Sequence, residues 1–300
     1  MKLTPRLAVL LSLPPLLWAG NAVIGRMVRH DIPPMALNAL RWLIAFVLLT
    51  PLASRLLADP REALKRWHGL AWLGFLGMGC YNSLQYLALH TSSPLNVTLI
   101  TASMPVWMLG VGALFYGVKP KRRQLAGALL SLLGVAVVIA RGDPAALLAV
   151  RFVPGDLLML LALFTWAIYS WMLSRPARGL RPGERPDWNW AEWLMAQMMF
   201  GVVFSGGAAG VEQVVAPAGI HWSPTLIAAL AYVAVGPSLI AYRCWGLGVA
   251  EAGPALAGFF VNLTPVFAAL ISAALLGAAP AWYHGLAFVL IAAGIIVSSR

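Results

Sequence analysis

Hydrophobic residues run along this chain in stretches of about 20, broken by short polar clusters rich in Lys, Arg, Pro and Gly. About 20 apolar residues are what an α-helix needs to cross a bilayer. The runs lack the alternation of a membrane-spanning strand. They predict ten transmembrane helices, over residues 7–25, 36–57, 69–89, 94–118, 125–140, 155–174, 192–211, 224–242, 253–279 and 281–299. Only the connection after the sixth is long, so the expectation is an all-α integral membrane protein without a soluble domain. Lys2 and Arg6 before an apolar run give the N-terminus the outline of a signal peptide. The run continues through Ile24, which predicts an uncleaved first span instead.

Composition agrees. Hydrophobic residues make up 61% of the chain and charged residues 10%, against about a quarter charged in soluble domains. The net charge of +11 raises nucleic acid as a partner, but the basic residues sit in short clusters between apolar runs. That is the pattern of cytoplasmic loops beside anionic headgroups, so membrane lipid is expected as a partner and nucleic acid is not. With the N-terminus inside, most of the 21 Lys and Arg fall on inner loops; the exceptions are Arg26, Arg29, Arg41, Arg141 and Arg151. Both termini are therefore expected in the cytoplasm. Trp188, Trp190 and Trp193 beside the basic 175–185 segment read as headgroup-interface residues. Cys80 and Cys244 lie inside predicted spans. They predict no disulfide framework, and no spacing suggests a metal or other cofactor.

The chain repeats itself. Pro94-Leu95 and Pro105-Val106 recur 160 residues on as Pro254-Ala255 and Pro265-Val266, and Gly117, Pro120 and Gly134 recur as Gly277, Pro280 and Gly294. Two halves of five spans, residues 1–145 and 150–300, follow. Five is odd, so the second half enters the membrane inverted. Inverted repeats supply two related conformations, which is the basis of alternating access.

Helical spacing then picks out inward faces. Pro14, Trp18, Asn21 and Gly25 share a face of span one; 148 residues on, Ala162, Trp166 and Tyr169 share the matching face of span six. Asn82, Gln85 and Tyr86 share a face of span three, and Ser238, Tyr242 and Trp245 one of span eight. Thr98, Thr101, Pro105 and Gly112 line up in span four, while Asn262 and Thr264 flank Pro265 in span nine. The prolines free the carbonyls of Thr101 and Val261. Candidate solute contacts are thus Trp18, Asn21, Asn82, Gln85, Tyr86, Thr98, Thr101, Trp166, Tyr169, Ser238, Tyr242 and Asn262, with Pro105, Pro265 and Arg41 as hinge or gate. Arg41 is expected about one turn deep, able to snorkel to the interface. Gly112, Gly134 and Gly294 read as close-packing positions. His90 and His284 are expected at external span ends.

Leu17-Trp18-Ala19-Gly20-Asn21, Thr165-Trp166-Ala167, Arg41-Trp42-Leu43, the two Pro-Val helices and the glycine-bearing fifth and tenth spans together resemble the EamA family of the drug/metabolite transporter superfamily, over essentially the whole chain. The resemblance implies ten-span carriers, here of a bacterial inner membrane. The aromatic lining is most similar to exporters of amino acids of the YddG type. One departure is plain: where relatives often carry a glutamate, this chain reads Gly117-Val118-Lys119-Pro120 and Gly277-Ala278-Ala279-Pro280.

The acidic residues all fall in loops or at span ends, Asp156 and Glu251 coming deepest. A cation exporter needs a mid-membrane carboxylate, so a neutral or zwitterionic solute with an apolar side chain fits better. Transport is expected to be passive or weakly proton-linked. A membrane enzyme would need clustered carboxylates, histidines or a nucleophile with its base, and a channel a charged or carbonyl-lined pore. Neither pattern is present. The expectation is an exporter of aromatic or apolar amino acids or similar metabolites, able to work as a monomer. The alternative is a carrier of organic cations, sugars or nucleotide-sugars in the same superfamily.

Overall fold

A computed structural model describes residues 3–92, 94–143, 145–148, 151–276 and 281–299; among these the chain is helical, with no β-strand. The first half runs α1 (Pro5–Met27), α2 (Pro34–Leu49), α3 (Trp67–Gly74), α4 (Tyr81–Thr91), α5 (Pro94–Thr101), α6 (Met104–Tyr116) and α7 (Arg122–Ile139). The second runs α8 (Pro154–Ser174), α9 (Trp190–Val215), α10 (Pro224–Val233), α11 (Ala241–Ala252), α12 (Pro254–Val261), α13 (Thr264–Leu276) and α14 (Trp282–Ser299). A π-helical turn, Phe75–Cys80, joins α3 to α4, and a second, Ala234–Ile240, joins α10 to α11. α5 and α6 part at Ala102 and Ser103, and α12 and α13 at Asn262 and Leu263. The order long, long, π-interrupted, broken, long therefore occurs twice.

Local chemistry sets the helix starts. Six of the labelled helices begin on proline, whose missing N–H costs nothing in the first turn. Three carboxylates cap helices. Glu192 accepts from the Asn189 N–H at 2.8 Å, closing a capping box on α9, and takes Nε and Nη2 of Arg55 at 2.9 Å each. Glu212, at the far end of α9, accepts from the Met35 and Ala36 N–H groups at 3.1 Å and so caps α2. Buried Asp156 accepts from the Ser92 hydroxyl, from Asn96 Nδ2 at 3.0 Å and from the Val153 N–H at 2.9 Å. It clamps the start of α8 to the turn between α4 and α5.

Eight helical stretches are long and apolar enough to cross a membrane: Pro5–Gly25, Pro34–Ala58, Arg122–Ile139, Pro154–Ser174, Trp190–Val215, Pro224–Ala252, Pro254–Ile271 and Trp282–Ser299. The other two expected spans are helical but differ in kind. Asn82, Gln85 and two tyrosines dilute the hydropathy of 69–89, and 94–118 breaks at Ala102, leaving Met104–Tyr116 as a shorter apolar helix. The expected eighth span ends too early at 242; the helix continues to Ala252 and takes Arg243 and Trp245 with it. Gly277 and Pro280 lie outside the described residues. Leu114, Leu148 and Val214 are 81–88% exposed on the outer surface, a liability in water that acyl chains remove.

The two halves interleave. α1 packs on α11 and α13, and α8 packs on α4 and α6; α2 pairs with α9, α6 with α12 and α7 with α14. The α7–α14 contact is backbone to backbone. A Cβ added at Gly127 would sit 2.6 Å from the Gly294 carbonyl oxygen, and one at Gly134 would sit 2.9 Å from that of Ala287. Small residues permit this approach, which replaces the hydrophobic drive that a bilayer does not supply. Gly112 makes room in the same way for the Trp171 ring.

Candidate functional site

Where α1, α2, α4, the α5–α6 break and the α12–α13 break converge, they enclose a cavity of about 640 Å³, the size of a small-molecule site. Its mouth lies at the turn from α1 to α2, where exposed Arg29 and His30 line it with Ile32 and Pro34. Its other end is closed by aromatic rings.

Trp166 on α8 is the hub of that floor. Its ring centroid lies 5.3 Å from Trp18, 5.1 Å from Tyr81, 5.1 Å from Tyr169, 5.5 Å from Tyr242 and 5.6 Å from Trp245. The two π turns hold the rings. A π turn carries an extra residue and interrupts the i→i−4 ladder, so carbonyls become available to side chains. Trp18 Nε1 donates to the Pro237 carbonyl in the second π turn at 3.3 Å, and the Tyr242 hydroxyl donates to the Gly77 carbonyl in the first. Trp245 Nε1 donates to Ser170 Oγ at 3.1 Å beneath them.

The walls carry the polar groups. Asn82, Gln85 and Tyr86 come from α4, Thr98 and Thr101 from α5, and Asn262, Thr264 and Pro265 from the α12–α13 break. Asn262 ties the two breaks together, because its Nδ2 donates to the Ala102 carbonyl at 3.1 Å and to Ser131 Oγ at 2.8 Å. The Val261 carbonyl accepts from the Thr264 hydroxyl at 2.6 Å, and the Thr101 hydroxyl donates to the Val97 carbonyl at 2.7 Å.

Arg41 on α2 is 1% exposed and lines the same cavity. Its Nε donates to Ser238 Oγ at 3.0 Å, its guanidinium lies 5.3 Å from the Trp42 ring centroid, and its Nη1 has no partner. Among the described residues no Asp or Glu lines the cavity. The ion pairs among the described residues, Arg55 with Glu192 and Glu62 with Lys65 and Arg66, lie away from the cavity. Lys65 and Arg66 hold the half-buried Glu62 carboxyl below the usual carboxylate range through hydrogen bonds. Five buried side-chain atoms lack a partner among the described residues, and three of them belong to cavity residues: Asn21 Oδ1, Asn262 Oδ1 and Arg41 Nη1. An unpaired buried polar atom costs about 1–3 kcal/mol and an unpaired charge more. Unpartnered polar atoms thus belong to the residues that line the cavity above its aromatic floor.

Ten expected contacts line this one cavity: Trp18, Asn21, Asn82, Gln85, Tyr86, Thr98, Thr101, Trp166, Tyr242 and Asn262. Tyr169 and Ser238 do not. Tyr169 lies under the floor, its ring in the space left by Gly77 and its hydroxyl 3.3 Å from Gln197 Oε1. Ser238 sits inside a π turn, where the spacing to Tyr242 no longer defines a shared face. It donates to the Val233 carbonyl, five residues back, at 2.8 Å, and supports Arg41. Pro265 lines the cavity; Pro105 instead packs against Gly258. Arg41 does not snorkel, because α2 is covered by α9 and the second π turn. Sequence reasoning missed Tyr81, although it stands four residues before Gln85 on the same helical face. It also did not place Arg29 and His30 at the cavity, because they lie outside any span. The His284 Nδ1 accepts from the Ala281 N–H at 3.0 Å; the side chain of His90 lies outside the described residues.

Apolar helices surrounding a cavity that is open at one end and floored by rings define a multi-pass membrane transporter of small molecules. The chain belongs to the EamA-like transporter family, whose model matches residues 6–140 and 153–300. It is 25% identical over 293 residues to an uncharacterized transporter of Archaeoglobus fulgidus, covering 97% of this chain and 96% of that one. It is 25% identical over 285 residues to the aromatic amino acid exporter YddG of Ancylobacter novellus, covering 95% and 93%. It is 24% identical over 245 residues to a probable amino-acid metabolite efflux pump of Escherichia coli, covering 79% and 76%. A crystal structure of 22% sequence identity shares the fold, with a TM-score of 0.77 over 97% of this chain and 95% of its own.

Proposed function

We propose that this protein exports aromatic or apolar amino acids, or similar small metabolites, across a bacterial inner membrane by alternating access. The observation that carries this reading is the floor of packed rings beneath orphaned polar groups. The rings suit an apolar or aromatic side chain, and the polar groups above them suit its charged end. Two of the relatives are named for amino-acid or amino-acid metabolite export.

The working unit is one monomer of two inverted five-helix halves, residues 1–145 and 150–300. Four contacts support the inversion. Gly127 meets Gly294 while Gly134 meets Ala287, and positions 287 and 294 are 127 and 134 shifted by 160. Such reciprocal exchange is what a two-fold relation produces. Ala102 and Asn262, also 160 apart, bond to each other, and Trp18 touches its partner Trp166. With both termini cytoplasmic, the Arg29–His30 mouth faces outward. Transport follows the solute gradient or couples weakly to protons: Asp156 is committed to a helix cap and Glu251 is exposed.

The test is counterflow in proteoliposomes preloaded with unlabelled amino acids. Labelled phenylalanine, tryptophan or methionine accumulates with the native protein and not with Trp18→Ala/Trp166→Ala. A folded native protein that exchanges none of them refutes the reading.

A further inference from the structure

We infer that Arg41 is the receptor for a solute carboxylate, and that the carboxylate rather than the ammonium is the handle the site requires. This rests on the exporter reading and narrows it to aryl and apolar monocarboxylates, amino acids among them.

Two observations carry it. First, a guanidinium does not shed its proton in proteins, so Arg41 is a cation at 1% exposure, and its bonded partner is a neutral hydroxyl. Its Nη1 is unpaired and its side chain lines the cavity. A planar fork with a free N–H matches the oxygens of a carboxylate, and the single fixed charge of Arg41 balances a monocarboxylate, where a phosphate carries up to two charges. Second, the field of the cavity has one sign. Arg29 and Arg41 line it, and no acidic side chain does among the described residues. A lining of one sign concentrates ions of the other. An incoming ammonium meets no carboxylate there, only neutral acceptors, among which Asn21 Oδ1 and Asn262 Oδ1 have no partner. Those two atoms add selectivity for an amine without requiring one. With its carboxylate on Arg41, a solute's ring falls toward Trp18 and Trp166, which line the same cavity.

The experiment uses the full chain in proteoliposomes and sets unlabelled competitors against labelled phenylalanine. Phenylalanine and 3-phenylpropionate compete at similar concentrations. Phenethylamine and phenylalanine amide, which keep the ring and lack the carboxylate, need at least about tenfold more, a difference of about 1.4 kcal/mol. Arg41→Gln removes that preference and Arg41→Lys keeps part of it. The analogue series runs on native protein alone, so it decides the matter even where Arg41→Gln fails to fold. Phenethylamine competing as well as 3-phenylpropionate overturns the inference and leaves the exporter reading standing. So does unchanged phenylalanine exchange by folded Arg41→Gln. Thermal stabilisation of native protein but not of Arg41→Gln by 3-phenylpropionate, without any amino-acid exchange, overturns the exporter reading and keeps the carboxylate site. Loss of all exchange and all stabilisation overturns both.

Discussion

Replacing Trp166 by leucine removes the centre of the floor while keeping an apolar side chain there. Five rings lie 5.1–5.6 Å from it. An aromatic pair contributes about 0.5–1.5 kcal/mol beyond its buried area, so five pairs bound the loss at about 2.5–7.5 kcal/mol. Contacts that share one ring do not add fully, which brings the working figure to about 3–4 kcal/mol. The vacated volume opens onto the existing cavity and adds little. Trp72→Leu is the control, since Trp72 is 57% exposed and has a single ring neighbour, Phe75, at 5.8 Å. The assay is survival of monodisperse protein after heating in detergent. At about 2–4 °C per kcal/mol, Trp166→Leu melts roughly 6–16 °C lower, and Trp72→Leu stays within about 2 °C of the native protein. Trp166→Phe recovers most of the loss. If Trp166→Leu and Trp72→Leu melt together, the floor is not a cooperative cluster and the reasoning fails.

Two further outcomes are expected. Gly294→Val drives a side chain into the Gly127 carbonyl, 2.7 Å from the new Cβ, and lowers stability by about 1–3 kcal/mol or more; an unchanged melt would show that α7 and α14 do not touch backbone to backbone. In a Cys80→Ala/Cys244→Ala background, His30→Cys is labelled by an impermeant maleimide added to intact cells, because His30 lies at the mouth. Labelling only after the cells are opened would reverse the assigned orientation.

The hydrophobic runs located most of the helices, and helical spacing grouped most of the residues that meet at the cavity. What sequence missed has physical reasons. π turns leave no periodic signal. Phe75–Cys80 and Ala234–Ile240 each shift the helical register, which put Ser238 on the wrong face and hid the carbonyls that anchor Trp18 and Tyr242. The burial of Arg41 is a tertiary fact. Nothing in its own span says that α9 and a π turn from the other half cover it.

The interleaving of the halves also bears on how the protein is made. Trp18 finds its acceptor 219 residues away, and the Leu17 carbonyl finds the Tyr232 hydroxyl 215 residues away. A chain inserted from its N-terminus holds α1 in the bilayer before α11 or α13 has left the ribosome. During that interval the Trp18 indole N–H has only lipid or transient neighbours to satisfy it. Assembly of the first half alone cannot be the committed step; the nascent chain must wait, with a polar helix in hydrocarbon, for its second half to be translated.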